Sequence, residues 1–189
     1  MKKRLFMMVV VAMVLQHTGL NAQVPDIPLN EAGAYEKKEV VEVEGASSAV
    51  LFGRAMEALS DWTGPDGKAK VGIDYQDKET GTVIYKGKYY LGLYRVLLTG
   101  IEMYADVVLK VRCKDGRAQV TVTIPMMTGI YSNGQTRQAS IGETVESMKE
   151  KGAKKRPSHE FLPKIPAVGE VLMKAMIGRL NVKVDDDDF

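Results

Sequence analysis

The amino-acid sequence predicts an α+β domain in which helices pack across one face of a curved antiparallel sheet. Two observations carry this prediction. In the middle of the chain, consecutive segments alternate between apolar and polar residues, as half-buried strands do. The segments whose apolar residues recur at helical spacing lie before and after most of those strands. This separation indicates an α+β arrangement and not a doubly wound parallel sheet.

The first 22 residues have the order of a cleavable secretory signal peptide. Lys2, Lys3 and Arg4 precede an apolar run from Leu5 to Leu15, and the segment ends on the small residue Ala22. The apolar run is well short of the roughly 20 residues that a membrane-spanning helix needs. We therefore expect export to the periplasm or the extracellular space, and a mature protein that is soluble and does not span the membrane. An uncleaved membrane anchor is the alternative.

Charge and cysteine content narrow the classes of partner. The net charge of the whole chain is +2, and it falls to −1 once the three cations of the leader are removed. A nearly neutral domain has no overall field to attract nucleic acid, so we expect no nucleic-acid partner. Cys113 is the only cysteine, which excludes an intramolecular disulfide.

We divide the rest of the chain into an extended lead-in at residues 23–34, a single α+β domain at residues 35–182 and an acidic tail at residues 183–189.

The domain begins with a strand and a helix. Residues 35–43 alternate, with glutamates on one side, which predicts a charged edge strand. Ser47 or Ser48 caps the following helix, and Gly64-Pro65 ends it. The apolar stripe of this helix comprises Leu51, Phe52, Ala55, Met56, Leu59 and Trp62.

Two strands and a predicted irregularity follow the helix. Residues 70–76 alternate, and residues 82–90 return as a second strand after a polar loop. The sequence Lys86-Gly87-Lys88 interrupts the second strand, and we interpret it as a β-bulge. On the first strand, Val71, Ile73 and Tyr75 face one way.

A hairpin is the clearest local signal. Asp115-Gly116 separates alternating runs at residues 105–112 and 117–124, and a two-residue turn requires residues that accept positive φ. We expect the apolar face of this hairpin to pack against the last helix of the chain. That face comprises Val107, Leu109, Val111, Val120, Val122 and Ile124.

The C-terminal third contains a loop, a short helix, a connector and a long helix. Residues 128–138 are polar and contain glycine, which predicts a long surface loop. Ser140 and Glu143 form a capping box at the start of the short helix. After the basic connector at residues 151–156, Pro166 suits the first residue of the last helix, where its missing N–H costs nothing. The apolar stripe of the last helix comprises Val168, Val171, Leu172, Ala175, Met176 and Leu180.

Several of these features are shared with a known family. They are the helix that ends at Trp62, the loop 77–81, Lys86-Gly87 and above all Lys114-Asp115-Gly116-Arg117. With them, residues 49–124 resemble a domain of unknown function that has a TATA-binding-protein-like fold and is found in exported Bacteroidetes proteins. The resemblance implies a curved antiparallel sheet and an exported compartment, and it implies no reaction. The name of the fold implies nothing about DNA, because function lies in sites rather than folds.

The sequence shows no set of catalytic or metal-binding residues, and we predict no cofactor. Paired histidine and cysteine spacings of the kind that bind zinc are missing. Cys113 stands between two cations that could lower its pKa, but a cysteine nucleophile also needs a base, and His159 is the only histidine left after the leader. We favour a packing role for Cys113 and a solvated loop position for His159. The balance is against an enzyme.

A cluster of aromatic residues is the candidate ligand-binding site. It comprises Tyr85, Tyr89, Tyr90 and Tyr94, with Arg95 beside them. Tyrosine offers a large amphipathic surface with few torsions, which suits binding. Tyrosine also suits strands for packing reasons alone, and this is the alternative.

The function that these observations favour is a noncatalytic envelope module that binds a small apolar ligand, a glycan or another protein. A hydrolase of unrecognised type and a structural component of an envelope assembly are the alternatives. A buried pair of residues with shifted pKa values in a cleft would favour the hydrolase. A large exposed apolar patch would favour the structural role.

Overall fold

The computed structural model describes residues 24–60, 71–96, 99–152, 154 and 156–182. The expectations for the leader, for the end of the first helix at Trp62 and Gly64-Pro65, and for the acidic tail fall outside these residues. Within them, the elements in chain order are β1 (Tyr35–Glu42), α1 (Ser48–Ser60), β2 (Val71–Asp77), β3 (Thr82–Val96), β4 (Thr99–Lys114), β5 (Arg117–Tyr131), β6 (Thr136–Ser140), α2 (Ile141–Lys151), α3 (Pro157–Phe161), a 3-10 helix (Leu162–Lys164) and α4 (Ile165–Leu180).

The described strands form one antiparallel sheet in the order β1-β5-β4-β3-β2, and β6 pairs with the part of β5 that β1 leaves free. α1 packs mainly against β4 and β3, α4 packs against β5 and β1, and the two helices pack against each other. Leu109, Val120 and Val122 of the sheet are buried beneath these helices. The α+β prediction, with an antiparallel sheet and helices across it, is confirmed. β1 is an edge strand, as its charges predicted.

The hairpin between β4 and β5 is also confirmed, and its turn contacts the start of α1. Gly116 has a φ of +74°, as the turn requires. The carboxylate Oδ1 of Asp115 accepts a hydrogen bond from the backbone N–H of Ser48 at 2.7 Å, while the side chain of Ser47 accepts one from Val50 at 3.3 Å. The turn therefore joins two strands and, with Ser47, caps the N-terminus of α1.

The long loop predicted at residues 128–138 is wrong, because these residues form a second hairpin. β5 continues to Tyr131, and Thr128 pairs with Gln138 of β6. The turn is Ser132-Asn133-Gly134, in which the N–H of Gly134 donates to the carbonyl of Tyr131 at 2.9 Å and Gly134 has a φ of +81°. Like the Asp115-Gly116 turn, it depends on a glycine with positive φ, but it has three residues instead of two. The side chains of β6 are polar because the strand is exposed, and polarity of this kind is also typical of a surface loop.

The bulge predicted at Lys86-Gly87-Lys88 is wrong in position. These residues pair with β4 in unbroken register. The irregularity of β3 against β4 lies between Tyr90 and Gly92, where Gly92 has a φ of +138°. A Cβ atom on Gly92 would stand 3.0 Å from the ring of Phe161. The bulge therefore occurs where β3 passes close to Phe161 of α3, and not at Lys86-Gly87-Lys88.

The last helix is confirmed, with a different buried face. Val171 is 53 % exposed and Ala175 is also exposed, whereas both were expected on the buried stripe. Met173 is buried instead. The cause is a close contact between α4 and β1, where Gly169 lies directly over Tyr35. The buried face comprises Ile165, Val168, Gly169, Leu172, Met173, Met176 and Leu180.

Candidate ligand-binding site

A pocket of about 430 Å³ lies where β4, β5 and β6 meet the start of α3. We call it the β4–β6 pocket, and its floor and rim come from different elements. The floor consists of side chains from β4 and β5, and the rim consists of residues from β6 and the segment that leads into α3. The second hairpin, which the sequence analysis missed, supplies one wall.

The floor of the β4–β6 pocket is apolar. Ile101, Met103 and Met127 are all less than a tenth exposed, and they belong to the main core of the domain. Gly129 keeps the floor open, because a Cβ atom there would stand 3.1 Å from both Ile101 Cγ2 and Met103 Sδ. Methionine side chains adapt to ligands of different shape. The floor is therefore suited to an apolar group.

The rim carries two arginines. The guanidinium of Arg137 lies over the ring of Tyr131, 5.6 Å from its centroid. Arg156 is the residue immediately before α3. Among the described residues, neither arginine forms an ion pair with a carboxylate. The rim therefore offers two cationic groups that no acid among the described residues neutralises.

His159 holds the segment that carries Arg156. Its Nδ1 accepts a hydrogen bond from the backbone N–H of Lys154 at 3.0 Å, and the residue is only 5 % exposed. Burial lowers the pKa of His159, and the charges of Arg156 and Lys154 lower it further. The expectation of a solvated loop position for His159 is therefore wrong. A neutral imidazole is needed here because the Nδ1 lone pair accepts the bond.

The structure places the five predicted site residues in several environments. Tyr85 is fully buried, and Tyr89 and Tyr94 are half-buried against the same core. Tyr90 lies on the opposite side of the sheet, where its ring is 5.4 Å from that of Tyr104, and Arg95 is exposed. None of the five lines the β4–β6 pocket. Tyr94 is the one beside it, because it pairs with Ile101 of the floor.

Known proteins agree with this architecture. Residues 38–126 match the family DUF4468, a domain of unknown function with TBP-like fold. The fold is TBP-like. The predicted resemblance to a domain of unknown function with a TBP-like fold is confirmed, and export stays a prediction. The matched segment of the TBP-like domain ends within β5, so β6 and both rim arginines lie outside it.

Two solved structures resemble this chain over most of its length. A DUF4468 family protein from Bacteroides ovatus is 15 % identical, with a TM-score of 0.57, and the match covers 83 % of this chain and 91 % of that chain. A TBP-like protein from Parabacteroides distasonis is 16 % identical, with a TM-score of 0.53, covering 82 % and 98 %. At these identities the likeness shows the fold alone. No curated protein matches the chain.

A polar cluster lies on the face of the TBP-like sheet that the helices do not cover. Lys88 forms an ion pair with Asp106, and its Nζ donates a hydrogen bond to Thr128 Oγ1 at 3.0 Å. Thr128 in turn donates to Asp106 Oδ2 at 2.7 Å. These three groups satisfy one another across β3, β4 and β5. The cluster therefore cross-links the strands rather than presenting a reactive group.

Tyr104 beside this cluster is held protonated. Its hydroxyl donates a hydrogen bond to Glu102 Oε2 at 2.8 Å. Burial, followed by that bond to Glu102, raises the pKa of Tyr104 to about 12. A tyrosine with a raised pKa is a poor general base at neutral pH.

Cys113 and His159 do not form a catalytic pair. Cys113 lies near the hairpin end of β4, whereas α3 adjoins the pocket at the other end, near Met103. Ten strand residues separate Cys113 from Met103, which corresponds to about 33 Å. Among the described residues, we also find no group of three or more histidine, cysteine, aspartate or glutamate side chains that could hold a metal ion.

We expect Cys113 to be unreactive in the native protein. It is 2 % exposed, and burial raises the pKa of its thiol to about 11. The thiolate is the reacting species, so alkylation by iodoacetamide at neutral pH is expected to be at least about 100-fold slower than in urea-denatured protein. Mass spectrometry at timed intervals measures both rates. Equal rates in the two states would contradict the packing role.

Proposed function

We propose that this chain is a noncatalytic module of the cell envelope that binds a small, largely apolar molecule in the β4–β6 pocket. The observation that supports this proposal is the pocket itself, with a volume of about 430 Å³ and an apolar floor. Pockets of 300–1,000 Å³ with mostly apolar walls and a few polar groups are typical of small-molecule sites. Here the polar groups are confined to the rim.

Two smaller cavities of the described residues are less suited to a ligand. One of about 160 Å³ lies between α1, α4 and Leu109 of the sheet, and it is a packing gap under the helices. The other, of about 250 Å³, lies at the β4–β5 hairpin and is lined by Arg112, Lys114 and Arg117. Its buried apolar lining is limited to the small side chain of Ala118, whereas three larger buried side chains form the floor of the β4–β6 pocket. The β4–β6 pocket combines the larger volume with buried apolar walls.

The envelope location is part of the proposal. It is supported by the charged, apolar and small-residue order of residues 1–22. Among the described residues, we find no helix that is long and apolar enough to cross a membrane. A glycan is less suited than an apolar molecule, because the hydroxyl groups of a sugar would meet Ile101, Met103 and Met127 without hydrogen-bond partners.

One experiment on the natural protein tests both parts of the proposal. A native mass spectrum of protein purified from the envelope fraction of its own cells is expected to show a chain that begins at Gln23. The same spectrum is expected to show an added mass that disappears after denaturation. Protein that retains Met1 would contradict the export proposal.

A second experiment locates the binding site. The uncharged fluorophore N-phenyl-1-naphthylamine is expected to bind the mature protein, and Ala139→Trp is expected to weaken binding at least about tenfold by filling the pocket. Ser158→Trp fills the same pocket from α3 and serves if the first variant fails to fold. Ala32→Trp, on an exposed turn, is the matched control. If both filled pockets bind the probe as well as the control does, the proposed site is wrong.

A further inference from the structure

We infer that the ligand of the β4–β6 pocket is an anionic amphiphile, whose carboxylate head group binds Arg137 and Arg156 while its apolar body lies on the floor. The inference rests on the proposed function, since it assigns a ligand class to the same pocket. It adds a requirement for negative charge that the apolar floor alone does not impose.

The charges around the pocket are the first argument. Arg137 and Arg156 are the charged residues of its described lining, and no carboxylate lines it. The chain without its leader has a net charge of −1, so the positive charge of this pocket is a local excess and does not reflect the charge of the whole chain. A cation pair of this kind favours an anion electrostatically, most strongly where a ligand excludes water.

The placement of Arg137 is the second argument. Its guanidinium lies over the ring of Tyr131, which pairs with Ile101 in the neighbouring strand and lines the same pocket. Stacking on an aromatic face orients the planar guanidinium and leaves its N–H edges free. Those edges match the two oxygens of a carboxylate. A head group bound there would have its apolar body beside Ile101 and Met103.

The placement of Arg156 is the third argument. Its backbone N–H donates to the carbonyl of Lys154 at 2.7 Å, and its own carbonyl accepts from Glu160 at 3.1 Å. His159 holds Lys154 from the other side at 3.0 Å. The backbone of Arg156 is therefore positioned before a ligand arrives. Pre-positioned groups lose less conformational entropy on binding, which raises affinity.

Three compounds with one tail separate charge from apolar contact. Octanoate, 1-octanol and octylamine share the eight-carbon chain and carry a negative, a neutral and a positive head group. Titration calorimetry of the mature protein is expected to give octanoate an affinity about tenfold to hundredfold above that of octanol. Octylamine is expected to bind more weakly than octanol because of repulsion from the arginines.

Variants assign the charge preference to the two arginines. Arg137→Ala and Arg156→Ala are each expected to weaken octanoate binding about tenfold and to change octanol binding by less than about twofold. Arg137→Lys retains the charge without the planar fork, and an intermediate loss is expected. Arg117→Ala removes an exposed arginine of the hairpin cavity, at the far end of β5, and is expected to have no effect. A loss of octanoate binding in this variant would place the head group in the hairpin cavity and contradict the inference.

The possible failures are distinguishable. If octanoate and octanol bind equally, or if octylamine binds best, the inference is wrong and the proposed function stands. If both arginine variants retain the preference for octanoate, the head group lies elsewhere and the inference is again wrong. If the uncharged fluorophore also fails to bind the unsubstituted protein, the proposed function itself is wrong.

Discussion

Gly169→Ala is expected to lower the free energy of unfolding by about 3 kcal/mol or more. Gly169 lies on α4 directly over Tyr35 of β1, and a Cβ atom there would stand 2.2 Å from the Tyr35 hydroxyl oxygen and 2.4 Å from its Cε1. Tyr35 is 2 % exposed, so its ring has little room to move. The added methyl group would therefore push α4 away from the sheet.

Gly178→Ala in the same helix is the matched control. A Cβ atom at Gly178 has no neighbour within 4 Å. In this exposed position alanine is expected to stabilise the protein by up to about 1 kcal/mol, because alanine favours helix more than glycine does. Urea unfolding followed by circular dichroism measures both changes. If Gly169→Ala is no more destabilised than Gly178→Ala, contact with Tyr35 does not determine how α4 packs.

Gly81→Ala is expected to have the second large effect, a loss of about 3 kcal/mol or more. Gly81 has a φ of +63°, and a Cβ atom there would stand 2.5 Å from the carbonyl oxygen of Cys113 and 3.0 Å from Ser48 Oγ. The carbonyl of Gly81 also accepts a hydrogen bond from the N–H of Cys113 at 2.8 Å. The backbone of Cys113 and the side chain of Ser48 therefore leave no room for a side chain at this position.

Gly116→Ala separates conformational strain from crowding. Gly116 has a φ of +74°, close to that of Gly81, but a Cβ atom there has no neighbour within 4 Å. The free energy of unfolding of this variant is expected to fall only by the strain of a left-handed backbone, about 1 kcal/mol. The same urea experiment measures both variants. If Gly81→Ala lowers the free energy of unfolding no more than Gly116→Ala does, the carbonyl of Cys113 moves aside to admit the methyl group and crowding is not the cause.

The two ends of the sheet differ in how closely they are packed. At the hairpin end, β3, β4 and α1 are joined by the hydrogen bond between Gly81 and Cys113 and by the bond from the N–H of Ser48 to the Asp115 carboxylate. At the other end, Gly129 and the arginines leave a space between β4, β5 and α3. The hairpin end is closely packed, and the end that holds the β4–β6 pocket has space for a ligand.

Local chemistry was readable from the sequence. Asp115-Gly116 predicts a tight turn because few residues accept positive φ, and Gly116 has a positive φ in the structure. Ser140 caps α2 by accepting a hydrogen bond from the N–H of Glu143, as the capping box predicted. Asn133-Gly134 carried an equally local signal for β6. It was outweighed by the polarity of the surrounding residues, which reflects an exposed strand and not a loop.

The faces of the tyrosines required the tertiary structure. In a regular strand Tyr89 and Tyr94, five residues apart, would point to opposite faces. The bulge between Tyr90 and Gly92 changes the alternation, and both tyrosines pack against the core beneath the helices. That bulge occurs at a contact with Phe161, about 70 residues away along the chain. A contact over that distance leaves no mark in the local pattern.

The sequence by itself determined the class of fold, the main hairpin, the caps and the apolar stripe of α1, because each depends on residues a few positions apart. Only the tertiary structure decided which side of α4 is buried and where a ligand could bind. The side of α4 depends on Gly169 meeting Tyr35, and the pocket depends on β4, β5, β6 and α3 meeting at one end of the sheet. Both are shapes made by backbones that pack at close range, and such shapes follow from the three-dimensional arrangement of distant segments.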